Sequence, residues 1–68
     1  MEGWKTRILR EADELKLKTD KLNSFLCSEE VKKLSGENQY WLVCQKEAMA
    51  RYLFCLEMRI RLNNIKEN

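Results

Sequence analysis

The chain has 68 residues, three cysteines, no histidine, no proline and a formal net charge of +2. That length predicts one small domain, and an all-α, two-helix arrangement of that size buries too little surface alone and therefore self-associates, at least as a dimer. Acidic and basic residues are interspersed in both halves, eight basic against seven acidic in 1–34 and five against four in 35–68, so the concentrated Lys/Arg patch needed for counterion-release binding to nucleic acid is missing.

With 44% hydrophobic and 35% charged residues of both signs, the composition is that of a folded helical protein rather than a disordered one. Gln45, Lys46, Glu47, Arg51 and Glu57 interrupt the apolar run well before the ~20 residues of a membrane span. The opening stretch MEGWKTRILRE has no apolar signal-peptide core, and the expectation is a cytoplasmic protein. Cys27, Cys44 and Cys55 are odd in number, lack CxxC spacing and have no histidine to complete a zinc site. They read as free thiols, with no metal and no cofactor implied. The missing histidine also removes the commonest general acid–base group, so the chain reads as a binding protein and not as an enzyme.

In chain order, the first helix is expected over about 3–26, starting at Glu2 or Trp4. Ile8, Ala12, Leu15, Thr19, Leu22 and Leu26 recur at alternating spacings of four and three, the heptad seam of a helix packed on another helix. Trp4 and Phe25 flank that seam, and the remaining charges form a solvated face with pairs such as Glu14–Lys18. A corner over 27–36 follows. Ser28 with Glu29 and Glu30 predicts an N-capped short helical segment ending near Leu34, with Val31 and Leu34 as its apolar face. Ser35 is a second N-cap candidate, with Glu37 in the next first turn. So short a link predicts an antiparallel hairpin with a helical corner.

The second helix is expected over about 37–65, because nothing from Asn38 to Ile65 breaks a helix. Leu42, Met49, Leu53, Leu56 and Ile60 share one sector of its wheel, Cys44, Ala48, Cys55 and Leu62 a second, and Val43, Ala50, Phe54 and Ile65 a third. A helix this apolar on several sides needs more than one neighbour, which predicts assembly into a helical bundle. Beyond it, the polar tail Asn64–Asn68 is expected to fray.

One strip departs from the apolar pattern. Trp41, Gln45, Tyr52, Arg59 and Asn63 line up at spacings that hold them in a narrow angular sector. A flat ring stacks on a base, an amide reads its edge and a guanidinium forks onto phosphate. Trp41, Gln45, Tyr52 and Arg59, with Lys18 and Lys21 as added positive charge, are therefore the candidate ligand-binding residues for a nucleotide-like anion in a groove between subunits. A packing role competes: Arg59 paired to Glu11 across the hairpin, Gln45 near Lys18–Leu22, and both rings as core or interface aromatics. Aromatic stripes at helical spacing more often pack than bind.

The runs DELKLKTDKLNSF, KKLS and QYWLVCQKEAMARYLFCLEMRIRL together resemble a family of small phage and prophage proteins described as crAss-phage-related. Matching positions are Glu14, Leu15, Lys18, Lys21, Leu22, Phe25, Leu34, Ser35, Gln45, Met49, Tyr52, Leu56, Arg59 and Ile60, over about residues 7–62. Trp41 replaces a usual leucine, and Gly36 a usual helix former. The resemblance implies a phage-encoded accessory protein with a helical-hairpin fold. With the strip, it leads to an expected counter-defence sponge that sequesters a nucleotide-type immune signal. The alternatives are a protein–protein inhibitor or adaptor, docking Val43, Ala50 and Phe54 on a host or phage protein, and a structural piece of a phage assembly.

Overall fold

A computed structural model describes residues 3–66. Two long helices, α1 (Gly3–Leu26) and α2 (Gly36–Leu62), are joined by a 3-10 helix over Glu30–Lys33. They pack as a hairpin measuring 47 × 17 × 15 Å, close to the ~40 Å length of a 27-residue helix. The expected all-helical hairpin with a short helical corner is the fold observed. Glu2, proposed as a possible helix start, lies outside the described residues.

The core is narrow. Ile8, Ala12 and Leu15 of α1 are buried against Leu56 of α2, which is 1% exposed, and Met49, Leu53, Ile60 and Ile65 close around them. These are the central part of the heptad seam and the first apolar sector of α2, so the 3.5–3.6 residue period is what positions the core. Thr19 also lies in the seam, buried, with its hydroxyl donating to the Leu15 carbonyl at 2.8 Å. Its polar atom is thus satisfied within its own helix. Leu22 and Leu26 continue the seam half-buried.

The corner differs from expectation in its capping. Ser28 does not open the short helix; its hydroxyl donates to the Phe25 carbonyl at 2.6 Å and so closes the end of α1. The short element is a 3-10 turn led by Glu29, with Val31 buried and Lys32–Glu29 and Lys33–Glu30 pairs on its exposed side. These are the ion pairs among the described residues, so the expected Glu14–Lys18 and Arg59–Glu11 pairs are not formed. Ser35 does act as the cap of α2, accepting from the Asn38 amide at 3.1 Å, while the Gln39 side chain donates to the Leu34 carbonyl at 2.9 Å. The first bond satisfies an amide that a helix start leaves open, and the second a carbonyl at the end of the 3-10 turn.

The far end corrects a boundary. The second helix stops at Leu62 rather than 65, because Asn64 adopts a left-handed conformation with φ 53°. The Ile65 amide then reaches the Ile60 carbonyl at 3.0 Å and the Asn64 amide reaches Arg61 at 3.2 Å, the paired bonds of a Schellman stop with asparagine in the place glycine often takes. Ile65 folds back onto the core instead of extending the helix's third sector. The tail expected to fray is therefore tied down as far as Ile65, and Glu67 and Asn68 lie outside the described residues.

Candidate functional site

α2 carries the strip on the flank of its buried sector. Trp41 is 60% exposed and Tyr52 45% exposed, and Gln45 and Arg59 are exposed as well. Neither aromatic is a core residue of the single chain. Gln45 makes no contact with Lys18–Leu22 by hydrogen bonding; its amide points along its own helix to the Met49 sulfur at 3.9 Å. Arg59 engages its neighbours through its backbone: its carbonyl accepts from the Asn63 side chain at 2.8 Å. The guanidinium has no carboxylate partner among the described residues. Asn63 is thus occupied as a helix-end group.

The lysines divide. Lys18 stands on α1 about a quarter-turn from the buried stripe, beside the groove between helices, whereas Lys21 is turned about 140° from it, onto the back of α1. Both are exposed. Lys18 is placed to add charge to the strip's flank and Lys21 is not.

Length divides the strip. Trp41 and Arg59 are eighteen residues apart, about 27 Å along a helix, much longer than a nucleotide. Within one chain, Trp41 with Gln45 and Tyr52 with Arg59 form two separate clusters rather than one. Tyr40 was also missed: it is 60% exposed and packs edge-to-face on Trp41, with centroids 5.0 Å apart and planes at 79°. The adjacent YW pair was the available signal. Side-chain hydrogen bonding to Cys44, one turn on, followed by charge from that thiol, pushes the Tyr40 phenol above its ordinary pKa.

A separate groove of about 560 Å³ lies on α1, lined by Leu9, Arg10, Asp13, Glu14, Leu17 and Ile65 among others. Its carboxylates stand among its cations, so it lacks the single sign that selects an anion. Cys27 and Cys55 are exposed free thiols and Cys44 is half-buried. Among the described residues, no group of three or more His, Cys, Asp or Glu side chains is arranged to hold a metal, and no helix is long and apolar enough to cross a membrane.

Fold and strip define a small all-helical hairpin that presents aromatic, amide and guanidinium groups from one helix. The chain belongs to the Sequestin family, which it matches over residues 2–62. No curated protein and no solved structure matches it.

Proposed function

We propose that this protein is a non-enzymatic, stoichiometric binding protein that sequesters a nucleotide-type signalling molecule, serving a phage against a host's immune signalling in the host cytoplasm. The observation that carries the reading is the strip itself. Two aromatic faces, an amide and an unpaired guanidinium are held exposed on a capped helix, which is the equipment for stacking on a base and clamping a phosphate. The family's name denotes sequestration, and the resemblance to small phage proteins supports the counter-defence role. The non-enzymatic part of the reading draws on the lack of histidine, the commonest general acid–base group.

The test is the double substitution Tyr52→Ala with Arg59→Ala. Both residues are exposed and outside the core, so retained small molecule is lost while helicity and oligomeric state stay as in the parent. Collapse of the oligomer together with the ligand would make the strip structural. A second reading draws on Phe54, 61% exposed, and Val43, 40% exposed, as a docking surface for a host protein. Under that reading Phe54→Glu blocks partner capture and leaves ligand retention untouched.

A further inference from the structure

We propose that the outward face of α2 is covered by a second copy of this chain, packed antiparallel, and that the pair completes two equivalent anion sites. Each is built from Trp41 and Gln45 of one copy and Tyr52 and Arg59 of the other. The pairing stands on its own observations; only the identity of what fills the sites rests on the sequestration reading.

The face is largely apolar, is crossed by Glu47 and Arg51, and carries exposed side chains in the single chain. Tyr40, Cys44, Ala48, Cys55, Met58 and Leu62 share the side of the wheel turned away from Leu56 and α1, and Leu62 is 76% exposed. The chain's accessible surface is 5706 Å², whereas a compact folded monomer of 8.2 kDa exposes roughly 4,500 Å². That excess exceeds the ~800 Å² each partner contributes to a standard stable interface.

Charge fixes both occupant and direction. Glu47 and Arg51 sit near the middle of the face, one turn apart, and do not pair with each other. Glu37 lies in the first turn of α2, and Arg59 and Arg61 lie in the last. A two-fold axis level with residues 49–50 sets Glu47 against Arg51 of the second copy, twice. The same axis brings Cys44 level with Cys55 of the second copy. Parallel pairing would set Glu47 on Glu47 and Arg51 on Arg51, and would align the helix dipoles unfavourably.

The strip then changes meaning. A two-fold perpendicular to both helices leaves the two strips on the same side of the pair, running in opposite directions. Arg59 of the second copy comes level with residues 39–40, and its Tyr52 with residues 46–47. Trp41, Gln45 and these two side chains then fall within about 10 Å along the helix direction, against about 27 Å in one chain. Two rings, an amide and a guanidinium converge on a volume suited to one nucleotide, twice per dimer.

The experiment uses the native thiols. Cys44 and Cys55 of one chain are eleven residues apart, about 16 Å along the helix, beyond the ~4.4–6.8 Å Cα separation of a disulfide. Oxidation with copper phenanthroline in a Cys27→Ser background is expected to give a covalent dimer, with peptide mapping showing Cys44 joined to Cys55. Further substitution of Cys44→Ser or Cys55→Ser should remove that link. Failure to form a covalent dimer, or Cys44–Cys44 or Cys55–Cys55 links in its place, would overturn the register. Sedimentation of Glu47→Arg should show dimer dissociation raised by about tenfold or more, and adding Arg51→Glu should restore it. A double variant as monomeric as the single one would overturn the charge pairing. Neither readout needs ligand, so loss of the dimer sinks this inference alone, whereas a dimer that never binds a nucleotide sinks only the sequestration reading.

Discussion

Leu56→Ala is the perturbation from which the fold's stability is most directly read. Leu56 is the most deeply buried side chain, 1% exposed, and the one fully buried residue that α2 contributes to a core otherwise supplied by Ile8, Ala12 and Leu15. Removing its branched end strips contacts from that whole cluster, and Leu→Ala changes at such sites cost about 2–5 kcal/mol. A domain this small holds roughly 3–5 kcal/mol in a single core, so the substitution consumes most of it. At about 4–8 °C per kcal/mol, a 3 kcal/mol loss lowers the melting temperature by ~12–24 °C. The assay is a thermal melt followed by far-ultraviolet circular dichroism, at several protein concentrations to separate hairpin from dimer stability. Leu17→Ala, on the 62%-exposed side of α1, is the matched control and should stay within about 0.5 kcal/mol of the parent. Equal losses from the two would refute the placement of the core.

Ser35→Ala removes the hydroxyl that accepts from Asn38 and should cost about 1 kcal/mol by the same melt. Gly36→Ala acts the other way: a Cβ there meets nothing within 4 Å and the residue has no positive φ, so stability should rise by about 0.4–1 kcal/mol. Tyr40 titrates above its ordinary pKa because of Cys44; the folded phenol holds its proton longer than the unfolded one. Its contribution is complete below the unfolded pKa and lost as pH rises through the folded one. Cys44→Ala should bring its ultraviolet titration back toward the ordinary value. Finally, Trp41→Ala and Arg59→Ala chains, each empty as a homodimer, should regain one ligand when co-expressed, because one site of the mixed dimer keeps both wild-type groups.

The fold was legible because one period governs it. Ile8, Ala12, Leu15 and Thr19 announce the buried stripe of α1, and Met49, Leu53, Leu56 and Ile60 answer from α2, with every member at a helical spacing. Stops were less legible. Asn64 ends α2 by entering a conformation that asparagine tolerates but does not advertise, and Ser28 was read as opening a helix when the same hydroxyl closes the previous one. Both choices depend on which backbone group lies within reach, a tertiary fact. The strip's direction on the wheel follows from the residue order, but a wheel projects length away and so does not display the 27 Å over which the strip is spread. In the proposed dimer, what joins the two clusters lies outside the single chain, in a face whose charges become complementary against its own copy turned end for end.

The central claim is that these groups hold a small anion between copies of the chain. Native mass spectrometry of the protein, purified gently from cells in which a nucleotide-signalling immune system is active and measured before and after denaturation, tests it most directly. The account predicts an even-numbered oligomer carrying a non-covalent adduct of nucleotide mass that is released on unfolding. An oligomer free of any adduct from those cells would contradict it.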